Sequence, residues 1–198
     1  QPDFENLLSM AEDPAKFLKH LDSEGVERAA LINYVSPDVM GFTEDVNEFI
    51  SNYCKSAPDR LIPVGSLHPE YLDNPREKMA YLAEELGIRI IKIHPSHQLI
   101  YPNAYLDGLE ALGIIYESCE QYGIPIMVHT GTSIFPAART KYSDPMYLED
   151  MAIDFPRLKI IMAHGGRPLW KDTAFFLLRR LAGRYFDICG IAPEALLE

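Results

Sequence analysis

Four short apolar runs in the chain each end in a histidine that is followed at once by residues typical of a turn. These histidines are His68, His94, His129 and His164. His94 and His129 are 35 residues apart, as are His129 and His164, and this is the length that one strand, one helix and two short loops occupy in a βαβ unit. A continuous apolar run is typical of a strand buried on both faces, so the spacing predicts a parallel sheet whose strands end in histidines.

The chain alternates six predicted strands with six predicted helices, without a linker, a low-complexity tract or a break in composition. Such alternation is typical of a parallel α/β fold, and we predict a single domain over residues 1–198. The strands are predicted at residues 26–35, 60–67, 88–93, 124–128, 158–163 and 184–188. The helices are predicted at residues 13–25, 43–57, 74–87, 107–122, 144–155 and 170–182, with loops at 95–106 and 130–143.

Two architectures fit this alternation, an α/β barrel and a doubly wound open sheet. The glycine-rich fingerprint GxGxxG and the P-loop pattern of nucleotide-binding open sheets are absent from the sequence. Polar residues at the carboxyl ends of successive strands are where α/β barrels carry their chemistry. We therefore predict a TIM-type (β/α)8 barrel, although the chain's 198 residues are fewer than the about 250 that a complete barrel typically uses.

Charge and composition argue against several classes of partner. The chain has 29 acidic and 18 basic side chains, a formal net charge of −11 and no lysine or arginine block, so neither nucleic acid nor an anionic membrane is an expected partner. No apolar run reaches about 18 residues and there is no signal peptide, which makes a cytoplasmic location the expectation. The cysteines, Cys54, Cys119 and Cys189, form no metal-spaced pair and are predicted to be reduced and mostly buried.

The histidines at the strand ends predict a catalytic pocket. Strand side chains alternate between two faces, so Lys92 and His94 share a face, and His129 and His164 end the next two strands. Imidazole is the commonest metal ligand and moves protons readily near neutral pH. A divalent ion with an open coordination position lowers the pKa of its bound water to about 7, which supplies a nucleophile without a strong base.

A single histidine at a strand end is usually only a hydrogen-bonded residue near a turn, but four in register favour a site. The pattern favours a functional role for His129 and His164 and leaves a functional and a structural role open for His94. It favours a structural role for His68, and it places His20 on a surface helix away from the site.

Several cations accompany the predicted pocket. Lys92 lies one pleat deeper than His94, and a buried lysine is costly unless it is paired or modified. It is a candidate to hold a substrate carboxylate, to pair with an acidic side chain, or to be carboxylated as a bridge between two metal ions. Arg139, Lys141 and Arg167 follow His129 and His164 in loops, where they either clamp an anionic substrate or are simply solvated.

Two segments carry a family resemblance. They are Ile-Pro-Ile-Met-Val-His-Thr-Gly at 124–131 and Phe-Pro-Arg-Leu-Lys-Ile-Ile-Met-Ala-His-Gly-Gly-Arg-Pro at 155–168. Together with Lys-Ile-His-Pro at 92–95, they resemble the amidohydrolase-related family, the branch of the metal-dependent amidohydrolase superfamily that includes aminocarboxymuconate-semialdehyde decarboxylase. The resemblance covers roughly residues 13–198.

The resemblance implies a TIM-type barrel and one divalent metal ion, usually zinc. In the family an HxH pair on the first strand, a histidine on the fifth and an aspartate on the eighth hold the ion, and a histidine on the sixth handles the water or proton. His129 matches the fifth-strand ligand and His164 the sixth-strand catalytic histidine. Lys92 resembles in position the carboxylated lysine of binuclear relatives such as phosphotriesterases, which implies two ions if it is carboxylated.

The sequence departs from the family pattern at both ends. It contains no HxH, and the segment that carries the eighth-strand aspartate is absent, since Asp187 matches a seventh-strand position. We therefore predict a barrel without its first and eighth strands. Because Gln1 is not an initiator methionine, we expect the chain to belong to a longer protein, with a shortened, metal-free relative as the alternative. Exposed barrel edges would favour a homo-oligomer.

Three functions follow from these expectations. The first is a metal-dependent hydrolase that uses metal-activated water on a small-molecule substrate. The second is a metal-dependent non-oxidative decarboxylase of an unsaturated or aromatic acid, in which Lys92 or a loop arginine binds a carboxylate. The third is a non-catalytic barrel remnant or ligand-binding protein that lacks a complete metal shell.

Overall fold

The structure is a computed structural model that describes residues 4–191. Its centre is a curved sheet of six parallel strands in sequence order, each paired with the next along the chain. The strands are β1 (Ala29–Ile32), β2 (Leu61–Ser66), β3 (Ile90–Ile93), β4 (Ile126–His129), β5 (Ile160–Ala163) and β6 (Arg184–Phe186). All six predicted strands are thus present, and their parallel arrangement is confirmed.

Nine α-helices are found among residues 4–191. They are α1 (Phe4–Glu12), α2 (Pro14–Ser23), α3 (Pro37–Met40), α4 (Asp45–Cys54), α5 (Pro75–Ala80), α6 (Pro95–Gln98), α7 (Glu110–Tyr122), α8 (Leu148–Asp154) and α9 (Lys171–Arg180). A π-helical turn, Tyr81–Glu85, extends α5, and short 3₁₀ turns lie at Pro69–Tyr71, Ala104–Asp107, Thr140–Ser143 and Pro145–Tyr147. None of these helices has the length and apolar character that a membrane span requires.

The ends of the helices follow from local sequence. The Asp13 side chain accepts a hydrogen bond from the Ala15 amide at the start of α2, and Asn74 does the same for Glu77 at the start of α5. Such caps satisfy amides that have no partner within the helix. Gly123 ends α7 with a φ of +66°, a left-handed conformation that costs glycine no side-chain clash.

The observed elements differ from the predicted ones in length and number. Strand β1 covers only Ala29–Ile32 of the predicted 26–35, because its pairing with β2 extends over these residues alone. Residues 4–12, in which no strand is predicted, form α1, and the predicted loop 95–106 contains α6. Proline at the first position of α6 pre-sets a helical φ, which is how a four-residue helix forms there.

The main core lies between the sheet and helices α5, α7, α8 and α9. It consists of fully or nearly fully buried apolar side chains such as Ile91, Ile126 and Tyr116. A smaller cluster of Leu21, Ile50, Cys54 and Leu61 packs α2 and α4 against β1 and β2. Within residues 4–191, β1 and β6 each pair with one strand only, so the sheet is a TIM-type barrel without its first and eighth strands.

The register of the sheet positions the candidate site. Across β3 and β4, Lys92 is paired with Met127 and Ile93 with Val128. His94 and His129, the residues that follow in the two strands, therefore lie side by side. His129 is paired in turn with Ala163, the residue before His164. The three histidines therefore meet at the carboxyl edge of the sheet, which is where parallel α/β folds place their functional residues.

Candidate active site

Three imidazole rings form a stack at the carboxyl edge of β3 and β4. The ring centroids of His97 and His94 are 3.7 Å apart, and those of His94 and His129 are 3.9 Å apart, with interplanar angles of 19° and 13°. The side chains of all three residues are buried. The ring of His164 meets His129 edge to face at 4.9 Å. The register thus brings together His94, His129 and His164, which the sequence singled out.

The two ring nitrogens of His129 are buried and make no hydrogen bond of regular geometry among residues 4–191, although the backbone of Thr132 lies near enough to oppose the lowering of its pKa slightly. Burial, followed by the nearby charge of Lys92, lowers the pKa of His129 to about 2. Burial likewise lowers the pKa of His94, with further contributions from His129 and Lys92. Both imidazoles are therefore neutral at physiological pH, and a neutral imidazole is the form that ligates a metal ion.

His164 directly follows β5 in a sharp turn. Its φ is +117°, which is strained for a residue with a side chain, and its amide donates a hydrogen bond to the carbonyl of Met162. Its Nδ1 atom lies 3.4 Å from Oδ1 of Asp187. Although burial raises the pKa of Asp187, its contacts with His164 outweigh this and lower the pKa below its usual value.

Gln98 holds the chain around His94. Its Oε1 accepts a hydrogen bond from the His94 amide at 2.9 Å, and its Nε2 donates to the carbonyls of Val35 and Leu67, each at 2.9 Å. Val35 lies just beyond β1 and Leu67 just beyond β2. One buried amide side chain therefore ties the carboxyl ends of three strands together.

Lys92 is 3% exposed and lies on β3 beneath the histidines. Burial lowers its pKa from 10.5 to about 8, against the opposing influence of Asp187 and Cys189. Within residues 4–191, no carboxylate forms an ion pair with its ammonium group. A buried cation of this kind can accept an anionic group of a ligand.

Sequence reasoning missed His97, Tyr34 and Ser133. Nδ1 of His97 is 3.0 Å from the Tyr34 hydroxyl, and Nε2 is 2.7 Å from Oγ of Ser133. Burial, with the charge of Lys92, lowers the pKa of His97 to about 4. The available signal was the spacing of His94 and His97, since residues three apart lie on one side of a helical turn.

The loop cations lie at the rim. Arg139 is exposed, and its guanidinium donates to the carbonyls of Ala137 and Ala138 in its own loop. Nε of Arg167 donates to the carbonyl of Cys189 at 3.0 Å. Lys141 lies over the ring of Tyr142, 4.9 Å from its centroid. Each of these three cations therefore contacts a backbone carbonyl or an aromatic ring of the protein. None of them forms an ion pair within residues 4–191.

His68 lies at the end of β2 and is buried, with its ring against Tyr71 at a centroid distance of 4.5 Å. Burial lowers its pKa. The hydroxyl of Tyr71 donates to Oδ2 of Asp38 at 2.6 Å. No aromatic contact joins His68 to the stack of His97, His94 and His129 among the described residues. His20 is exposed on α2.

The donor atoms present fit part of a shell for a divalent metal ion. His129 offers two buried, unpartnered nitrogens on a neutral ring, which is what an imidazole ligand needs. A complete shell requires further donors, and the HxH pair that would supply two of them is absent from the sequence. Among the residues that the structure describes, His129 therefore fits the role of one ligand of such an ion.

The chain belongs to the amidohydrolase family. The family model described as Amidohydrolase matches residues 6–197, which confirms the resemblance seen in the sequence. No curated protein sequence gives a significant match. The family relation establishes the fold and the broad class of protein.

Solved structures of similar fold include three from bacteria. An uncharacterized TIM-barrel protein from Bordetella bronchiseptica is 24% identical with a TM-score of 0.70, covering 89% of this chain and 59% of that one. A 4-oxalomesaconate hydratase from Rhodopseudomonas palustris is 20% identical with a TM-score of 0.65, covering 99% and 64%. A 5-carboxyvanillate decarboxylase from Novosphingobium aromaticivorans, with bound manganese and 3-methoxy-4-hydroxy-5-nitrobenzoic acid, is 19% identical with a TM-score of 0.58, covering 83% and 52%.

These likenesses confirm the TIM-type fold. The chain spans less than two thirds of the length of each of these three structures, between 52% and 64%. Two of the three are named as enzymes, a decarboxylase and a hydratase, and one of them binds a divalent metal ion and a small carboxylic acid.

Proposed function

We propose that the chain is a metal-dependent hydrolase that uses water against a small anionic substrate. The observation that carries this proposal is His129, whose two buried ring nitrogens have no partner among residues 4–191, beside His164 with its neighbouring carboxylate. A ligand and a proton carrier side by side are what metal-assisted hydrolysis requires. The family membership supports the same class of chemistry.

In this proposal His129 is a metal ligand. When bound, a divalent ion supplies Lewis acidity and lowers the pKa of water. We expect one ion at this site, most simply zinc, or two if Lys92 is carboxylated. The decarboxylase structure of similar fold contains manganese, so metal analysis has to distinguish zinc from manganese.

His164 is proposed as the catalytic residue that moves the proton. Its Nδ1 faces Asp187 at 3.4 Å, so a proton on Nδ1 is stabilised by the carboxylate and Nε2 is left free to accept a proton from water. The same Nε2 then returns the proton to the leaving group. Asp187 acts through His164 by favouring this tautomer.

Lys92 is proposed to bind an anionic group of the substrate, because a buried cation without an ion-pair partner among residues 4–191 gains most from an incoming carboxylate. His94 is proposed to line the substrate pocket beside His129, against which its ring is stacked. Arg139 and Arg167 are proposed to bind substrate at the rim only after leaving their present carbonyl partners. The substrate class is therefore a small carboxylic acid that also carries a hydrolysable bond.

Decarboxylation is the second candidate. It is favoured by the aromatic side chains beside the histidines, Tyr34 at 4.7 Å from His94 and Phe135 at 5.1 Å from His97 between ring centroids, which suit a planar acid. In that reaction the bond to the carboxyl carbon breaks, its electron pair stays on the substrate carbon, and His164 donates the proton that replaces carbon dioxide. The decarboxylases of similar fold support it.

Product analysis on one panel of substrates separates the two reactions. The metal-loaded protein is incubated with small carboxylic acids that carry an ester, amide or lactone, and with hydroxybenzoic acids. Acid release without carbon dioxide is the expected result, and carbon dioxide release would support decarboxylation. His129→Ala and His164→Asn should lower the rate by about 10²–10⁴-fold, while His20→Ala, at an exposed position, should leave it unchanged. Full activity in His129→Ala and His164→Asn would overturn the assigned roles.

A further inference from the structure

His164, Asp187 and Cys189 bring three different donor types together where β5 and β6 end. One ligand atom of each, an imidazole nitrogen, a carboxylate oxygen and the thiol sulfur, lie within 4.8 Å of one another. Among residues 4–191, this is the one group of three histidine, cysteine or acidic side chains whose donor atoms all lie within this distance of one another. Nδ1 of His164 is buried and faces Oδ1 of Asp187 at 3.4 Å, so a cation bound between these two atoms would take the place of a proton on Nδ1.

The distances suit a tetrahedral ion. Two ligands bound at about 2.0 Å in a tetrahedral shell are roughly 3.3 Å apart, and Nδ1 of His164 is 3.4 Å from Oδ1 of Asp187. The sulfur of Cys189 lies within 4.8 Å of both other donors, so it has to move closer to them when an ion binds. Three protein ligands would leave a fourth position open.

Cys189 differs from the other cysteines of the chain. The sequence predicted mostly buried thiols, and Cys54 and Cys119 are buried, whereas Cys189 is exposed. Burial raises the pKa of Cys54 to about 11 and raises that of Cys119 further, which keeps both thiols protonated. Among the three cysteines, Cys189 is therefore the one whose thiol an ion from solvent can reach.

The backbone around Cys189 is held in place. Its amide donates to Oδ1 of Asp187 at 3.0 Å and its carbonyl accepts from Nε of Arg167 at 3.0 Å. A Cβ at Gly190, which has a φ of +71°, would come within 2.6 Å of the Arg167 guanidinium. The backbone that carries the thiol is therefore held beside the Asp187 carboxylate.

We infer that His164, Asp187 and Cys189 form a binding site for a thiophilic divalent cation such as Zn²⁺, separate from the ion proposed at His129. A ligand set of nitrogen, oxygen and sulfur selects zinc over magnesium or calcium. Because the ion would occupy Nδ1 of His164, the histidine would keep its proton on Nε2 and lose its ability to accept one from water. Occupancy of this site is thus inhibitory.

One nearby charge opposes the cation. Lys92 is electrostatically coupled to Asp187 and Cys189, and its ammonium would repel a bound ion. Lys92→Met should therefore increase the affinity of the site, by several-fold or more. That variant tests the position of the ion without altering any of its three ligands.

Titration of the metal-free protein with Co²⁺ tests this site, because a cobalt–thiolate bond gives a charge-transfer band in the near ultraviolet. We expect the band in the wild type, in His129→Ala and in Cys54→Ala, and its loss in Cys189→Ser, with Asp187→Asn and His164→Ala weakened by tenfold or more. If the wild type binds Co²⁺ without showing the band, and His129→Ala no longer binds the ion, the site at Cys189 is overturned. The proposal that His129 is a metal ligand would then still hold. A band that persists in Cys189→Ser, or no Co²⁺ binding by folded protein, would also overturn it.

Discussion

His94 and His129 stack face to face with their ring centroids 3.9 Å apart and their planes inclined by 13°. No hydrogen bond fixes the His129 ring among residues 4–191, so its orientation depends on packing against His94 and on the edge contact with His164. His94, in contrast, is anchored through its amide to Gln98 and through Nδ1 toward Ser96. The stack thus links the candidate metal ligand to His94 and, through His94, to α6.

Replacement of His94 tests this dependence. His94→Ala removes the stacked ring and should weaken binding of Mn²⁺ by about 10-fold or more, because loss of a neighbour that orients a ligand typically costs about 10–100-fold in affinity. His94→Phe keeps a flat ring and should cost much less. Isothermal titration of both variants measures the difference. Equal affinities for the two variants would show that stacking does not orient His129.

The two hydrogen bonds of His97 should each contribute measurably to stability. Tyr34→Phe removes the partner of Nδ1 and Ser133→Ala the partner of Nε2, and each leaves a buried nitrogen unpaired at a cost of about 1–3 kcal/mol. Urea unfolding gives the free energies. Tyr185→Phe is the control, because Tyr185 is 53% exposed on β6. If all three variants unfold at the same urea concentration, the His97 anchors are not formed in solution.

Lys92 should make stability depend on alkaline pH. Its pKa is lowered from 10.5 to about 8 on folding, so between these values the unfolded chain binds more protons and stability rises with pH. The penalty for burying the charged form is fully present below about pH 8 and is relieved by pH 10.5, a change on the order of 3 kcal/mol. Lys92→Met should be more stable than wild type at pH 7, with a difference that shrinks toward pH 10. A constant difference across this range would mean that Lys92 is not a buried amine.

A paired glycine experiment tests the close approach of the two site loops. Gly131 has a φ of +99°, and a Cβ there would lie 2.1 Å from the carbonyl oxygen of Arg167. Gly123 has a φ of +66° with open space around it, so Gly123→Ala should cost only the about 1–2 kcal/mol of left-handed strain. Gly131→Ala should cost clearly more and should also weaken metal binding. Thermal unfolding of both variants compares them, and equal costs would argue against contact between the loops.

The strands were predictable because their signal is local and strong. Residues 88–93 and 158–163 are mostly apolar, are rich in isoleucine and are each followed by a histidine, and β3 and β5 lie within them. Strand lengths were overestimated, since an apolar run extends past the last paired residue, as in β1. The register that aligns His94 with His129 follows from parallel pairing and was predictable in outline.

The surroundings of the histidines were less accessible to sequence reasoning. His97 was missed because residues 95–106 were interpreted as a loop, whereas a helical turn folds it back onto His94. Tyr34 reaches His97 from a segment 63 positions earlier in the chain. Contacts of that kind depend on how the ends of separate strands meet, which no local pattern encodes. The same holds for Cys189, whose exposure depends on the turn after β6.

Metal content measured by inductively coupled plasma mass spectrometry tests the central claim most directly. The comparison is between the Cys189→Ser variant, which lacks the thiol of the second site, and the double variant Cys189→Ser with His129→Ala. Both proteins are dialysed against zinc and then against metal-free buffer. We predict about one ion per chain in the first and none in the second. An ion retained after His129→Ala, or no ion in the folded Cys189→Ser protein, would contradict the assignment of His129 as the metal ligand.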